Sequence, residues 1–369
     1  MIRLEHVTKT YNGMPAVTDF SLEVNKGEVC VLIGPSGCGK TTVLRMINRL
    51  IEPTSGRILV NGEDISKTRP EYLRRSIGYA IQSVGLFPHM TVAANIAVVP
   101  ELLGWHRERI AGRVEELLGL VGLEPEEYAR KYVSQLSGGE AQRIGVARAL
   151  AADPPLLLMD EPFGAVDPLT RERLQTQFVR IQQELKKTII LVTHDLDEAI
   201  RLADRIAVMQ AGRLIQYETV EGILLRPANK FVHDFVGVDR ALKRLSRLEV
   251  MKFLRPAPSI TMDASVQRVA SLIGNRRSIW VVDELSHPIG WLDRSGLSEA
   301  SSIQELVVRV NTGEIAILHS ATLREALSRM LGLGSKSLPV VDDSGSFIGE
   351  ITLGDVEAAT TETENAGNV

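Results

Sequence analysis

Apolar positions along the chain follow two rhythms. Short β-rich runs, EVCVLIG at 28–34, LLLMDE at 156–161 and TIILVTH at 188–194, alternate with segments whose apolar residues recur at helical spacing. That alternation predicts an α/β domain built on a largely parallel sheet, from Met1 to about Phe235. Within it, roughly 86–150 reads as mostly helical. Leu242, Leu245 and Leu248 then fall at helical spacing among basic residues and predict a linker helix over 236–250.

Beyond residue 250 the pattern repeats itself. ASVQRVASLIG followed by SIWVVDELSHPIGWLDRSGL parallels ATLREALSRMLG followed by SLPVVDDSGSFIGEITLGDV, each half reading helix, strand, turn, strand, helix. The halves span 251–310 and 311–360, and each is small for independent stability, so the two are expected to share a core. Residues 361–369 are polar and predict a disordered tail.

Composition narrows the class. The chain has 369 residues, 44% hydrophobic and 24% charged, which is ample material for more than one globular core. A net charge of −4 gives no global electrostatic reason to bind nucleic acid, and no nucleic-acid partner is expected. The two cysteines, Cys30 and Cys38, do not make a secreted disulfide framework and fit a reducing cytoplasm. No apolar run approaches the roughly 20 residues of a membrane helix, so any membrane involved must be spanned by another chain.

The candidate chemistry starts at GPSGCGKTT, residues 34–42, set between a strand-like and a helix-like run. Gly34, Gly39, Lys40 and Thr41 occupy the fixed positions of a phosphate-binding loop. Glycines let backbone N–H groups wrap a polyphosphate, and the following helix offers its positive N-terminal end. Lys40 would bridge the β- and γ-phosphates, and the Thr41 hydroxyl would hold Mg²⁺. A strand ending in Asp160 and Glu161 supplies the second part: adjacent carboxylates repel unless a cation offsets one of them. Mg²⁺ would do so at Asp160, leaving Glu161 to polarise the attacking water.

LSGGE at 136–140, taken with these two features, resembles the ATP-binding cassette (ABC) ATPases over about residues 1–235. The resemblance implies a P-loop domain with a RecA-like parallel-sheet core and antiparallel β and helical subdomains. ATP would be held by Tyr11, Gly34, Pro35, Ser36, Gly37, Cys38, Gly39, Lys40, Thr41 and Thr42. It further implies a head-to-tail homodimer in which Ser137, Gly138 and Gly139 of one copy meet the γ-phosphate held by the other. Asp167 would communicate across that boundary. Gln82 matches the glutamine loop, touching Mg²⁺ or water, so the implied metal residues are Thr41, Gln82 and Asp160. His194 matches the switch histidine, giving Glu161, His194, Gln82 and Lys40 as the catalytic set. Cys38, at a variable loop position, would expose the site to alkylation.

The cassette is uninterrupted, and GLFPHMTVAANIAVVPELLGW resembles the segment of importer ATPases that receives a permease helix. The C-terminal repeats resemble a tandem pair of cystathionine-β-synthase (CBS) domains of α+β type. The combination resembles the ATPase subunits of glycine betaine, carnitine or choline uptake. It implies MgATP hydrolysis at the cytoplasmic face of the plasma membrane, with integral permease subunits and an extracytoplasmic solute-binding protein as partners. An importer ATPase for an amino acid or other small polar solute, and a regulatory or nucleic-acid-handling ABC ATPase without a permease, are the alternatives.

In the second CBS half, Gly349, Thr352 and Asp355 match the spacing that holds ribose and phosphate of an adenine nucleotide or cyclic di-AMP. The first half has Asp293 and Gly296 instead, where a carboxylate would repel phosphate. At most one such site per pair is expected. Arg240, Lys243, Arg244, Arg247, Lys252 and Arg255 read as a solvated basic face, with attraction to an anionic membrane as the other reading.

Overall fold

The computed structural model describes residues 1–361 except 82–84, 165, 238, 298–301 and 311. The expected catalytic residue Gln82 and all but the first residue of the expected tail therefore lie outside the described residues. The chain divides into two compact units, Met1–Gly237 and Val238–Val369.

The first unit contains a four-stranded antiparallel sheet, β2-β1-β4-β5, formed by β1 (Ile2–Tyr11), β2 (Met14–Val24), β4 (Ser55–Val60) and β5 (Glu63–Asp64). Its larger sheet has six strands. These are β3 (Val29–Ile33), β6 (Ile77–Ala80), β7 (Leu156–Asp160), β8 (Thr188–Val192), β9 (Arg205–Gln210) and β10 (Arg213–Thr219). They run in the order β10-β9-β3-β8-β7-β6, parallel except for the β9/β10 hairpin at the edge.

The apolar runs are unbroken because successive side chains enter opposite cores. Val29, Val31 and Ile33 join one hydrophobic cluster, whereas Cys30 and Leu32 join the other. On one side lie the antiparallel sheet and α1 (Lys40–Ile47), with Leu73 of α2 (Pro70–Ser76). On the other lie α3 (Val92–Leu102), α4 (Arg107–Leu120) and α6 (Gly138–Leu150), with the one-turn α5 (Pro125–Tyr128) beside them. The same core takes residues from α7 (Pro168–Leu185), α8 (Leu196–Leu202), α9 (Val220–Leu225) and α10 (Lys230–Val236).

The second unit is built twice from one plan. β11 (Ser259–Thr261), β12 (Ser278–Val282), β13 (Pro288–Asp293) and β14 (Val307–Arg309) form one sheet. β15 (Ile317–Leu318), β16 (Ser337–Val341) and β17 (Phe347–Thr352) form the other. In each half a hairpin turns on an aspartate: Asp283 Oδ1 accepts from the N–H of His287, and Asp342 Oδ1 from that of Ser346. The helices are α12 (Val266–Ile273), α13 (Thr312–Ile315), α14 (Leu323–Leu333) and α15 (Leu353–Thr361). After β13 the Asp293 carboxylate accepts from the N–H and hydroxyl of Ser295, and a three-residue 3₁₀ turn forms over 294–296; the expected closing helix would run on into 298–301, which lie outside the described residues.

The expected linker helix is shorter than its leucine spacing suggests. Among the described residues beyond α10, α11 (Arg240–Leu245) is the helix that precedes a 3₁₀ turn at 250–253, and Leu245 and Val250 are buried in the core of the second half. Nor are the basic residues here simply solvated. Lys243 pairs with Asp239, Arg244 donates to the carbonyl of Ala359, and Arg255 pairs with Asp355.

Fully buried Asn95 staples the chain entering α3: its Oδ1 accepts from the N–H of Phe87 at 2.7 Å, and its Nδ2 donates to the carbonyls of Phe87 and Thr91. Asn95→Ala leaves those groups unmet inside a core. The expected loss is about 1–3 kcal/mol, read in thermal denaturation as roughly 2–4 °C per kcal/mol for a domain of this size. An unchanged melting point would mean that water satisfies the segment.

Candidate active site

The phosphate loop leaves β3 at Ile33 and enters α1 at Lys40. Gly39, the residue before that helix, has φ 104°, and a Cβ there would lie 2.6 Å from the Ala16 carbonyl, so only glycine fits. Pro35, Ser36 and Gly37 are exposed, Thr41 and Thr42 half-buried, and Lys40 buried. The Lys40 ammonium donates to the carbonyls of Gly34 at 2.7 Å and Pro35 at 3.0 Å and lies 3.7 Å from the Cys38 sulfur. Cys38 is 4% exposed, which shields its thiol from the alkylation expected of that position.

Strand order brings the acidic pair to this loop. β3, β8 and β7 are consecutive in the sheet, so the loops leaving their C-terminal ends share one edge, where open α/β sheets bind ligands. Thr41 Oγ1 donates to Asp160 Oδ1 at 3.0 Å. The Asp160 carboxyl is pushed above its ordinary range, chiefly by burial and also by the Glu161 charge. A hydroxyl and a buried, destabilised carboxylate suit a hard divalent cation, so the donor set fits Mg²⁺.

Glu161 has φ 46°, a left-handed conformation uncommon outside glycine, asparagine and aspartate, and its N–H donates to Val192 at 2.9 Å. This backbone sets the carboxylate 3.3 Å from His194 Nδ1; the imidazole is exposed and the carboxylate half-buried. Lys40, Thr41, Asp160, Glu161 and His194 thus form one constellation where β3, β8 and β7 end.

Other expected residues stand apart. Ser137 caps α6 reciprocally with Glu140: its Oγ accepts from the Glu140 N–H at 3.3 Å, and Glu140 Oε2 accepts from the Ser137 N–H at 2.7 Å. The turn is exposed at Ser137 and Gly138. Gly139 neighbours Val166 and Thr170, which flank Asp167, the residue capping α7. No hydrogen bond or ion pair among the described residues joins Ser137, Gly138 or Gly139 to residues 34–42. Tyr11 is 46% exposed at the end of β1, with the Lys9 ammonium 5.0 Å from its ring centre.

The ABC transporter family pattern matches residues 17–164, and the CBS domain pattern matches 307–360. The carnitine transport ATP-binding protein OpuCA of Listeria monocytogenes is 47% identical over 361 residues, 95% of this chain and 90% of the relative. The chain belongs to the ATP-binding subunits of ABC transporters. Two further members are the osmoprotectant import ATP-binding protein OsmV of Salmonella typhimurium, 47% identical, and the glycine betaine/carnitine/choline transport ATP-binding protein OpuCA of Bacillus subtilis, 46% identical. Each alignment covers 95% of this chain and 94% of the relative. Among solved structures, a dimeric post-hydrolysis state of the cassette MJ0796 bound to ADP and Pi is 33% identical with a TM-score of 0.55, covering 60% of this chain and 99% of that one. Like other ABC ATPases, this chain hydrolyses ATP in the service of transport, and ATP with Mg²⁺ is its expected nucleotide. No helix among the described residues is long and apolar enough to cross a membrane.

In the C-terminal unit, Thr352 and Asp355 bond to each other, and these groups, like Gly349, are engaged. A Cβ on Gly349 would lie 2.5 Å from the Arg255 carbonyl, so the 254–255 segment already packs against it. Asp355 is buried, accepts from the Thr352 N–H at 2.9 Å, and pairs with Arg255. Nearby, buried Glu350 accepts from the Trp280 indole at 3.0 Å and pairs with Arg276, joining the two repeats.

Sequence reasoning passed over Arg171, Thr193 and Glu198, which surround the His194 turn. Glu198 follows Asp195 and Asp197 in what reads as an ordinary acidic first helical turn, and nothing in that spacing shows that its side chain turns inward.

Thr41→Val should destabilise the chain by about 1–3 kcal/mol, because the buried Asp160 carboxylate loses its hydroxyl partner. The sign of the pH effect follows. A carboxyl raised on folding keeps its proton where the unfolded chain has released it, so stability falls as pH rises from the ordinary aspartate value through the raised one. Removing Thr41's bond raises Asp160 further. In EDTA, the wild-type-minus-variant gap in melting temperature should therefore be larger at pH 8 than at pH 4; a pH-independent gap would contradict this account.

Proposed function

We propose that the chain energises import of a quaternary ammonium osmoprotectant, of the glycine betaine, carnitine or choline kind, as a peripheral subunit on the cytoplasmic face of the membrane. It works as a homodimer with integral permease subunits and an extracytoplasmic solute-binding protein. The solute rests on the named relatives aligned over nearly the whole chain. The observation that carries the mechanism is the Lys40–Thr41–Asp160–Glu161–His194 constellation, together with an exposed Ser137 turn that no hydrogen bond or ion pair among the described residues joins to its own phosphate loop.

In this reading the glycine loop and Lys40 hold the phosphates, and Tyr11 stacks the adenine. Thr41, Asp160 and Gln82 hold Mg²⁺, which supplies charge neutralisation on the phosphate oxygens when bound. Glu161 accepts the proton of the attacking water. His194, with Nδ1 turned to Glu161, keeps Nε2 for a γ-phosphate oxygen. A second copy brings Ser137, Gly138 and Gly139, whose position at the start of α6 favours an anion. A groove of about 960 Å³ between α3, α4 and α5 has an alanine floor, Ala93, Ala94 and Ala97, that lets a permease helix approach closely. Its rim carries both signs of charge, including Glu101 and Arg107.

Ser137 separates capping from catalysis. Ser137→Ala should cost α6 about 1 kcal/mol, and Ser137→Asp should recover it because aspartate caps as well. Turnover should stay lost in Ser137→Asp, since a carboxylate would face the partner's phosphates; wild-type turnover would sink the dimeric site. Purification from solubilised membranes should recover a polytopic partner, which the reading without a permease does not require.

The C-terminal pair acts as a regulatory unit whose adenine-nucleotide candidate, Gly349, Thr352 and Asp355, opens only when Arg255 leaves Asp355. With the ATPase site disabled by Lys40→Ala, titration calorimetry with ATP, AMP and cyclic di-AMP should give little heat, and Arg255→Ala should increase it. Silence from both chains removes the nucleotide-sensing role.

A further inference from the structure

The His194 turn is held from beneath by a carboxylate outside the constellation described above. Glu198, on the first turn of α8, is 5% exposed, and its Oε2 accepts from the Thr193 hydroxyl at 3.0 Å. Thr193 is itself 2% exposed. Its oxygen accepts from the Asp195 N–H at 3.0 Å, and its own N–H donates to the Leu32 carbonyl of β3 at 3.2 Å. The residue before His194 is thus clamped to the residue after it, to α8 and to the strand that feeds the phosphate loop.

Glu198 is not needed as a helix cap. Asp195 already fills that role, its Oδ1 accepting from the N–H groups of Asp197 at 2.9 Å and Glu198 at 3.2 Å. The second Glu198 oxygen is buried with no hydrogen-bond partner among the described residues, an arrangement that costs stability and calls for an explanation beyond packing. Arg171 of α7 extends the same network. Its Nη1 lies 3.8 Å from Asp195, and its Nη2 donates at 3.0 Å to the carbonyl of Val166, next to Asp167.

We propose that Glu198 is a positioning residue: through Thr193 it fixes the turn that carries His194, and so holds the imidazole against Glu161. This rests on the reading of His194 as a phosphate-contacting residue. The charged groups facing Glu198 are Asp195, Arg171 and His194. Burial, aided by the Asp195 charge and opposed by Thr193, Arg171 and His194, pushes the Glu198 carboxyl up to about 7. An ionised carboxylate is the stronger acceptor for the Thr193 hydroxyl, so the clamp is tight above that pH and loosens below it.

The test is ATPase kinetics of the full-length chain across pH 6–9. Glu198→Ala should lower kcat at pH 8 by roughly 10- to 100-fold, the scale of a small misplacement, with KM for ATP within about twofold. Thr193→Val should reproduce that drop. Glu198→Gln keeps an acceptor oxygen but cannot titrate. It should hold most of the turnover at pH 8 and lose the fall in rate between pH 8 and 6 that Glu198 imposes on the wild type. Because a raised glutamate pKa lowers stability as pH climbs from 4.5 towards 7, the melting point of Glu198→Gln should gain on that of the wild type over the same interval. Full turnover in Glu198→Ala beside an inactive His194→Ala overturns the inference and leaves the function standing. Full turnover in His194→Ala overturns the reading of His194 as a phosphate-contacting residue, and the inference with it, while ATP hydrolysis stands. Glu198→Gln as slow as Glu198→Ala, or an unchanged acidic fall in Glu198→Gln, also counts against the inference.

Discussion

Asp160 and Glu161 sit side by side where a buried strand meets its loop, and neighbouring carboxylates there repel one another while resisting loss of water. The surrounding structure answers each separately. Asp160 receives the Thr41 hydroxyl from the start of α1, and Glu161 is turned away by its left-handed backbone to meet His194. The two partners follow β3 and β8 in the chain, and β8 lies between β3 and β7 in one parallel set. The order of three strands therefore decides which side chains can relieve the acidic pair, and with them where phosphates and a cation can be held.

That order is secured by two cores rather than one. Alternate residues of β3, β7 and β8 enter opposite clusters, so a one-residue slip in register would exchange the contents of both. The helical layer on one side presents the capped start of α6, and the segment before α7 lies beside it. In the proposed dimer, the sheet edge of one molecule would be completed by this exposed turn of the other. The arrangement also explains why Ser137 serves as a cap within its own chain without losing its exposed position.

The C-terminal unit shows how a repeated plan diverges at one corner. Both hairpins turn on an aspartate and share the same antiparallel register, down to the irregularity between the paired valines, Val281 and Val282 in one and Val340 and Val341 in the other. At the end of β13 Asp293 folds back on Ser295, whereas at the end of β17 Thr352 and Asp355 open a helix. The free carboxylate that the second corner would offer a ligand is met by Arg255 from outside the repeat. A single guanidinium thus changes the meaning of a local pattern.

Much of the chemistry was legible in the sequence because it depends on short-range order. A glycine-lysine-threonine loop after a strand, an acidic strand end, and a serine three residues before a glutamate each specify their local geometry through backbone sterics and capping. Strand periodicity and the internal repeat did the same for the α/β unit and the paired hairpins. What required tertiary structure was every relation between distant segments: Thr41 with Asp160, Glu161 with His194, Arg255 with Asp355. Glu198 marks the boundary most clearly. Its spacing reads as a solvated helix start, and only the packing of α8 against β3 and α7 turns the carboxylate inward, because burial is a property of the assembled layers and not of the residues alone.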